Sequence, residues 1–299
     1  MPFTIPRLGT ALVALAATAA IAGCGDDKGS SSTTSTESSG VDATAAAGVP
    51  AAIKSKGTLV VAADATYAPN EFIAPDGRTV QGMDPDLAKA LAAVLGLKAQ
   101  VKNATFDAII PGLAGHKYDL GMSSFTDTKE REKTVDFVTY FSAGTSFYVK
   151  ADGGPAIAKL ADLCGQTVAV ERGTTQQDDA AAQAKRCAAA GKAKATVQTF
   201  PDQTGANLAL TSGRAQVGMA DSPVAAYQVK QSHGQFKLSG TPYGTAPYGI
   251  AIPKGSGLSQ PILDALKVLV RRGTYTSILR KWGVEGGAIT DPAINAATS

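Results

Sequence analysis

The sequence is poor in the side chains that most often ligate transition metals. It has two histidines and three cysteines among 299 residues: His116, His233, Cys24, Cys164 and Cys187. Lys and Arg total 28 against 25 Asp and Glu, a formal net charge of +3. A zinc site is therefore not expected, and so small a charge excludes the basic surface typical of nucleic-acid-binding proteins. We expect no metal, no other cofactor and no nucleic-acid partner.

Motifs of several common enzyme classes are also missing. The sequence has no Gly-x-Ser-x-Gly elbow, no His-Glu-x-x-His pair, no Walker loop and no glycine-rich dinucleotide fingerprint after a predicted strand. These absences favour a binding protein over an enzyme, although they do not exclude catalysis. With 44% hydrophobic residues, the chain has enough apolar material for two domains.

The N-terminus has the pattern of a bacterial export signal. Arg7 precedes an apolar stretch over residues 8–22, which suits a signal peptide better than a membrane span of about 20 residues. The stretch ends in Ile21-Ala22-Gly23-Cys24, which resembles the lipobox of bacterial lipoproteins. This interpretation predicts that residues 1–23 are removed and that Cys24 carries the lipid. An ordinary signal-peptidase site that happens to contain a cysteine is the alternative.

Residues 24–50 have the composition of a flexible tether. From Gly25 to Pro50 the chain consists largely of Ser, Thr, Gly and Ala, with hardly any large apolar side chains. Such a segment cannot bury enough surface to offset the entropy lost on ordering. We therefore expect residues 24–50 to be disordered.

The rest of the chain alternates strand-like and helix-like segments in two runs. In the first run we expect strands at 58–62, 118–122 and 135–149 and helices at 84–95, with Asp84 as its cap, and 106–114. In the second we expect strands at 167–170, 196–200, 215–220 and 248–252, helices at 176–190, 207–211 and 223–230, and two C-terminal helices. Alternation of this kind predicts an α/β architecture with mainly parallel sheets in two lobes.

Two cysteines lie within the second run, 23 positions apart. Cys164 precedes its first strand, and Cys187 falls near the end of its first helix. In an exported protein we expect them to form a disulfide, worth roughly 3 kcal/mol by the chain-entropy account. Two buried free thiols are one alternative. A redox pair is another, although the sequence has no Cys-x-x-Cys.

Polar and aromatic residues follow several predicted strands, at the edge where open α/β sheets bind ligands. Asp64 and Tyr67 come after the first strand, and Phe106 begins a predicted helix. A carboxylate and an aromatic face could meet one ligand there. Taken alone, a turn or cap role for Asp64 and a core role for Phe106 are the more common explanations.

Further candidates could form an anion site and a cation site. The hydroxyl-rich segment 122–126 precedes Arg131, whose guanidinium can hold a carboxylate through two parallel hydrogen bonds. Residues 173–176 lead into a helix whose free N–H groups attract anions, and Asp221 could bind an ammonium group. An exposed charge and a helix N-cap are the more common roles of such Arg and Asp residues. Together these groups would recognise a zwitterion.

Eight stretches of the chain resemble, in the same order, segments of family 3 solute-binding proteins, the polar amino-acid receptors of bacterial ABC importers. They are LVVAADATYAPNEF, GMDPDLAKALAAVLGL, FDAIIPGLAGHKYDLGMSSFTDTKERE, VDFVTYF, TVAVERGTTQ, LTSGRAQVGMADSPVAAY, PYGIAIPK and GTYTSILRKWG. The resemblance implies a type II periplasmic-binding-protein-like α/β fold, with two lobes joined by two crossover strands. It implies that residues 51–149 and 245–299 form lobe 1 and that residues 150–244 form lobe 2.

The resemblance also implies a role for each candidate residue. Arg131 matches the arginine that binds the ligand α-carboxylate, assisted by Thr126 and Thr175. Ser124 and Asp221 match the groups that bind the α-ammonium. The other matches are the aromatic walls Tyr67 and Phe106, the side-chain reader Asp64, and the further polar positions Ser123 and Gln176.

Two residues depart from the usual pattern of the family. Asn70 stands where an aromatic residue is usual, and Glu171 stands where a neutral residue is usual. If Asp64 and Glu171 both face the ligand, two carboxylates favour a cationic side chain such as that of Arg, Lys or ornithine. Alternatively, the adjacent Arg172 neutralises Glu171.

The resemblance implies a monomeric protein outside the cytoplasm, anchored to the membrane through lipid. It would capture a polar amino acid and deliver it to an ABC permease with its ATPase, without catalysis. Two alternatives remain. One is a dehydratase or hydrolase on the same fold with Glu171 as base, and the other is a sensor that signals to a kinase.

Overall fold

A mixed β-sheet lies at the centre of residues 40–298, the part of the chain that the computed structural model describes. The strands in this range are β1 (Thr58–Ala63), β2 (Thr66–Tyr67), β3 (Glu71–Ile73), β4 (Val80–Gln81), β5 (Lys98–Asn103), β6 (Leu120–Gly121), β7 (Val135–Lys150), β8 (Thr167–Glu171), β9 (Thr196–Phe200), β10 (Val217–Asp221) and β11 (Phe236–Pro253). The helices are α1 (Ala43–Ala47), α2 (Ala51–Lys56), α3 (Met83–Val94), α4 (Phe106–Ala114), α5 (Thr175–Ala189), α6 (Gln203–Thr211), α7 (Ser222–Gln231), α8 (Ser259–Arg271) and α9 (Thr274–Trp282). None of these helices has the length and apolar character that crossing a membrane requires.

The sheet has two parallel halves joined by two long antiparallel strands. Its strand order is β5-β1-β6-β11-β7-β10-β8-β9, and β2, β3 and β4 form a separate small sheet. β1 runs parallel to β5 and β6, and β8 runs parallel to β9 and β10. β7 and β11 pair along their whole lengths, from Val135↔Pro253 to Lys150↔Phe236. We call β1–β6 with α1–α4, α8 and α9 lobe 1, and β8–β10 with α5–α7 lobe 2. The predicted two-lobed α/β architecture is confirmed.

Each lobe has its own hydrophobic core. In lobe 1, Val61 of β1 packs in one cluster with Leu87 and Leu91, which lie four residues apart on one face of α3. In lobe 2, Val170 of β8 packs with Ala184 of α5 in a separate cluster. Burial of these side chains is the main force that holds each lobe together, because it removes apolar surface from water. A third cluster includes side chains of both lobes, among them Phe106 of α4 and Leu210 of α6.

The predicted disulfide between Cys164 and Cys187 is present. The two Cα atoms are 5.5 Å apart, and the bond ties the turn before β8 to the end of α5. The cross-link therefore belongs to lobe 2. The bond argues against two free thiols. The burial of Cys187 argues against a redox pair, because a reactive cysteine has to be accessible.

Several predicted elements have different limits in the structure. α4 and β9 have the predicted bounds, whereas the strand predicted at 248–252 is only the last part of the 18-residue β11. The first part of β11 contains Gly240, Pro242 and Gly244, residue types that disfavour strands, and its pairing with β7 is irregular there. β5 was not predicted, because this edge strand has a largely exposed, polar sequence.

The prediction that Asp84 caps a helix is wrong. α3 begins at Met83, and no side-chain hydrogen bond caps it. Asp84 is fully buried, and its Oδ2 atom accepts hydrogen bonds from the Tyr140 hydroxyl at 2.8 Å and the Ser124 N–H at 3.0 Å. A buried hydroxyl and a buried N–H both need an acceptor, and this carboxylate supplies it.

The predicted disordered tether extends too far along the chain. Within residues 40–50, Asp42 caps α1 by accepting hydrogen bonds from the N–H groups of Thr44 and Ala45. Ala45 and Val49 are buried in the lobe 1 core, which explains why this segment is folded. The predicted signal peptide, the lipidation site at Cys24 and the rest of the tether lie outside the described residues.

Candidate functional site

A small cavity lies between the lobes, beyond the carboxyl ends of β1, β6, β8 and β10. Lobe 1 contributes Tyr67, Phe106, Ser124, Thr126 and Arg131 to its walls, and lobe 2 contributes Thr174, Thr175, Gln176, Gln203, Ala220, Asp221 and Val224. Eight of the eleven predicted binding residues therefore line one cavity, and Asp64, Ser123 and Glu171 do not line it. The position agrees with the edge at which α/β sheets bind ligands.

Arg131 is held in place from both lobes. Its Nη1 atom donates a hydrogen bond of 2.8 Å to the carbonyl oxygen of Thr126, and its Nη2 atom donates one of 2.9 Å to that of Gly173. The guanidinium carbon lies 5.2 Å from the centre of the Phe106 ring and 5.5 Å from that of Phe125. The two rings are stacked 4.4 Å apart. A guanidinium fixed in this way is oriented to bind a carboxylate in the cavity.

The N-terminus of α5 faces the same cavity. Thr174 is its N-cap, and the Thr174 hydroxyl accepts a hydrogen bond from the Gln177 N–H. The N–H groups at the start of a helix lack partners within the helix, so this end favours anions. Gly173 precedes the cap with a φ of +80°, and a Cβ there would lie 3.1 Å from the Cβ of Asp107 in lobe 1. Glycine therefore permits both the turn and the close approach of the two lobes.

Asp221 stands at the N-cap position of α7 and supplies its carboxylate to the cavity. Its Oδ1 atom accepts a hydrogen bond of 2.7 Å from Gln176 Nε2, and its Oδ2 atom accepts one of 2.6 Å from the Tyr248 hydroxyl. Asp221 occupies the N-cap position of α7, as its place before Ser222 and Pro223 suggested, but no side-chain hydrogen bond joins it to the start of the helix. Burial raises the pKa of Asp221 to about 6, and at neutral pH the group is ionised.

Ser124 lines the cavity and is supported from behind. Its hydroxyl accepts a hydrogen bond of 2.9 Å from Asn70 Nδ2 and donates one of 3.3 Å to Glu71 Oε2. Ser123 is completely buried, and its hydroxyl accepts from the Asp64 N–H and donates to Glu71 Oε1. Ser123 therefore supports the cavity wall without reaching the cavity. Asn70 likewise positions Ser124 and does not line the cavity.

Asp64 anchors the start of α4. Its Oδ1 atom accepts a hydrogen bond of 2.7 Å from the Thr66 hydroxyl, and its Oδ2 atom accepts one of 3.0 Å from the Phe106 N–H. Both carboxylate oxygens thus have partners, and the side chain is buried. Burial raises the pKa of Asp64 to about 6, while these two hydrogen bonds lower it. The group holds Phe106 at the cavity wall.

Glu171 is a buried carboxyl group without a hydrogen-bond partner among the described residues. It is 1% exposed, and neither Oε1 nor Oε2 meets a donor with hydrogen-bond geometry. The Tyr67 hydroxyl lies beside Glu171 and favours its ionised form, but it has no partner with full hydrogen-bond geometry among the described residues. Burial, together with the negative charge of Asp64, raises the pKa of Glu171 to about 9. Arg172 pairs with Asp107 instead, with Nε 3.3 Å from Oδ2, so the alternative in which it neutralises Glu171 is wrong.

Gln203 is the main cavity residue that the sequence did not indicate. It begins α6 after the cap Asp202, its N–H donates to the Thr66 hydroxyl in lobe 1, and its Nε2 atom donates to the Tyr148 hydroxyl. It follows β9 in the same way that Thr175 follows β8. This position, just after the carboxyl end of a predicted strand, is the sequence feature that could have identified Gln203 as a cavity residue. Ala220 and Val224 also line the cavity without having been predicted, and Thr174 lies within the predicted anion-binding segment 173–176.

Nothing in residues 40–298 indicates a metal centre. No group of three or more His, Cys, Asp or Glu side chains in this range is arranged to hold a metal ion. The chemistry available in the cavity is instead a fixed guanidinium, a helix N-terminus, an ionised carboxylate and aromatic surface. These groups match the two charged ends of a zwitterion.

Comparisons with known proteins agree with this geometry. Residues 59–285 match bacterial extracellular solute-binding proteins, family 3. The arginine-binding protein ArgT of Corynebacterium glutamicum is 34% identical over 248 residues, covering 83% of this chain and 81% of that protein. The ABC transporter glutamine-binding protein GlnH of Bacillus subtilis is 32% identical over 278 residues, covering 91% and 95%. The structure of an ancestral arginine-binding protein bound to arginine has a TM-score of 0.69 and 40% identity, covering 76% of this chain and 98% of that one.

All three relatives are named for binding an amino acid and none for catalysis. This favours a binding protein over the dehydratase or hydrolase alternative. The matched region spans both lobes and both crossover strands. The resemblance seen in the sequence is confirmed, and the chain belongs to family 3 of the bacterial extracellular solute-binding proteins.

Proposed function

We propose that this protein is the substrate-binding lipoprotein of an ABC importer and that it binds a polar amino acid with a cationic side chain, such as Arg, Lys or ornithine. The names of the relatives support an amino-acid ligand and an ABC importer. The observation that carries the proposal is the meeting of Arg131 and Asp221 in one interlobe cavity. These two side chains have the charges needed to bind both ends of a zwitterion.

The ligand α-carboxylate binds Arg131 and the start of α5. Arg131 is oriented by its bonds to the backbone of both lobes, and Thr126 and Thr175 line the cavity beside it. An arginine can offer two parallel hydrogen bonds to a carboxylate, and the helix N-terminus adds N–H donors. This end of the site is the same for every α-amino acid.

The ligand α-ammonium binds Asp221 and Ser124. Asp221 is ionised at neutral pH, and Gln176 and Tyr248 fix its orientation. Ser124 already donates its hydroxyl proton to Glu71, so it can offer the ligand only a lone pair. Both groups therefore act as acceptors, which suits a donor such as ammonium.

The ligand side chain extends between aromatic walls toward an acidic end of the site. Tyr67 and Phe106 line the cavity with ring centres 5.8 Å apart, and Glu171 lies beside the Tyr67 hydroxyl. Asp64 adds negative charge behind them. An unpaired buried carboxyl group gains most from a cationic partner, and this supports the preference for arginine, lysine or ornithine.

The lobes close over the ligand by bending at β7 and β11. We propose that residues 51–149 and 245–299 move as lobe 1 and that residues 150–244 move as lobe 2. Arg131 comes from lobe 1 and Asp221 from lobe 2, so one ligand contacts both charges only when the lobes meet. Ligand binding then favours closure because it stabilises the closed state alone. The permease would receive this closed form.

The protein acts outside the cytoplasm as a monomer held to the membrane by lipid on Cys24. The lipobox-like sequence at residues 21–24 supports this part of the proposal. If Cys24→Ala is expressed in the native bacterium, the protein should leave the membrane fraction. Ser31→Ala is the matched control, because it makes a similarly small change in the same N-terminal segment and leaves Cys24 intact. Retention of Cys24→Ala at the membrane would contradict lipid anchoring.

A thermal-melt screen tests the ligand class. The purified protein is melted with each of the twenty amino acids, ornithine, citrulline and common polyamines. A ligand at about 100 times its Kd adds about 2.7 kcal/mol to the free energy of unfolding and raises the Tm by several degrees. We expect the largest shifts with arginine, lysine or ornithine. Shifts with polyamines and not with amino acids would contradict the proposal.

A further inference from the structure

Glu171 has no counter-charge among the residues that the structure describes. Its carboxyl group is buried, both oxygens lack hydrogen-bond partners, and no ion pair among the described residues includes it. Arg172, its neighbour in sequence, reaches Asp107 instead. An ionised carboxylate in such surroundings carries a large desolvation cost, which a proton removes.

The groups around Glu171 reinforce its neutral form. Asp64 approaches it from the end of β1, Asp107 from α4 and Asp202 from the turn before α6, and their negative charges all oppose its ionisation. The Tyr67 hydroxyl is the one adjacent group that favours the ionised form. Burial and these charges raise the pKa of Glu171 to about 9, so the carboxyl is protonated at neutral pH in the absence of ligand.

Tyr67 lies between the cavity and this carboxyl group, which does not itself line the cavity. Tyr67 lines the cavity, and its hydroxyl lies beside Glu171 without a partner of its own. Glu171 ends β8, only three residues before Thr174, which also lines the cavity. The inference that follows rests on the proposed function, because it requires an amino acid bound with its side chain at this end.

We propose that Glu171 releases one proton when a cationic amino acid binds and keeps that proton when a neutral amide amino acid binds. In the first case the proton leaves a Glu171 oxygen for solvent, and the ligand guanidinium or ammonium replaces it as the positive partner. In the second case the carboxyl O–H donates a hydrogen bond to the ligand amide oxygen. One pocket thus accepts two classes of side chain, and pH selects between them.

The pH dependence of binding follows from the proton balance. If one proton is released, the affinity for L-arginine rises about tenfold for each pH unit below the pKa of Glu171. The affinity for L-glutamine does not change over the same range. Between pH 7 and pH 8 Asp64 and Asp221 are already ionised, with pKa values of about 6, whereas burial and the charge of Asp84 raise the pKa of Glu71, behind Ser124, well above its ordinary value. The part of the pH dependence that belongs to Glu171 is therefore the part that is lost in Glu171→Gln.

Titration calorimetry in buffers of different ionisation enthalpy counts the protons directly. The purified protein is titrated at pH 7.5 with L-arginine and with L-glutamine. We expect release of about one proton with arginine and none with glutamine. Glu171→Gln should abolish the proton release and flatten the pH dependence for arginine. The same variant should lose more affinity for arginine than for glutamine.

Asp119→Asn is the matched control for a carboxyl-to-amide change. Asp119 lies in lobe 1, does not line the cavity, and accepts hydrogen bonds from the Val60 N–H and Lys56. It should keep the release of one proton. Arginine binding without proton release, or release that persists in Glu171→Gln, would overturn the inference while leaving the amino-acid receptor intact. Failure of wild-type protein to bind either amino acid would instead overturn the proposed function, and the inference with it.

Discussion

The Nη2 atom of Arg131 in lobe 1 donates a hydrogen bond of 2.9 Å to the carbonyl oxygen of Gly173 in lobe 2. Gly173 immediately precedes Thr174, the residue that caps α5. One guanidinium group therefore crosses the cleft and lies next to a helix N-terminus. A carboxylate bound at this point would contact both lobes at once, which is how a small ligand can stabilise closure.

Removal of the guanidinium should weaken the binding of every α-amino acid ligand. For Arg131→Ala we expect a loss of about 1.5–3 kcal/mol, or about ten- to a hundredfold in Kd, because a charge-assisted hydrogen-bonding partner is lost. Arg131→Lys should not restore the affinity, since lysine cannot form two parallel bonds. Calorimetry measures the Kd values, with the exposed lobe 2 residue Arg214 replaced by Ala as control. Wild-type affinity in Arg131→Ala would refute the carboxylate assignment.

Acid should weaken ligand binding through Asp221. Burial raises its pKa to about 6, so the carboxylate that accepts from the ligand ammonium becomes protonated as the pH falls through 6. The affinity for L-glutamine should therefore fall between pH 7 and pH 5. Asp221→Asn should bind weakly at both pH values, with a smaller pH dependence. A wild-type Kd that stays constant from pH 7 to pH 5 would argue against this role.

The ligand-free protein should lose stability as the pH rises, because of Glu171. The pKa of this group is about 9 in the folded state against 4.5 ordinarily, so the folded state binds more protons between these values. The free energy of unfolding then falls by up to about 1.4 kcal/mol per pH unit in that range. Glu171→Gln should become more stable than wild type as the pH rises from 6 to 8. Urea unfolding without ligand measures this, and parallel stability curves for the two proteins would contradict it.

The disulfide should contribute to the stability of lobe 2 without affecting the ligand site. Joint replacement of Cys164 and Cys187 by Ser opens a cross-link that spans 23 positions, which lowers the free energy of unfolding by about 3 kcal/mol. Neither residue lines the cavity, so the Kd should be retained at temperatures where the variant is folded. An unchanged unfolding curve would show that the bond contributes nothing.

Local sequence patterns predicted the helices and strands whose ends depend on interactions within the segment itself. α4 and β9 have the predicted ends, because helix and strand signals lie within the segments themselves. Arg131 and Asp221 were both candidates because arginine and aspartate at strand ends are suited to a zwitterion. Their meeting in one cavity depends on the fold of both lobes, and the family resemblance supplied that expectation.

Contacts distant in sequence explain the predictions that failed. Asp84 has the position of a helix cap, but Tyr140 and Ser124 bring two buried donors to its carboxylate. Arg172 is adjacent to Glu171 along the chain, yet its side chain pairs with Asp107 across the cleft. The partners of Asp84 and of Arg172 could not be identified from local sequence, since these contacts depend on how separate segments pack together.

Calorimetric titration with L-arginine and two of its fragments tests the central claim most directly. Agmatine lacks the α-carboxylate, and 5-guanidinopentanoate lacks the α-ammonium. If Arg131 and Asp221 bind the two ends of one ligand, L-arginine should bind and each fragment should bind at least about tenfold more weakly. Binding of agmatine as tight as that of L-arginine, or no binding of L-arginine at all, would contradict the account.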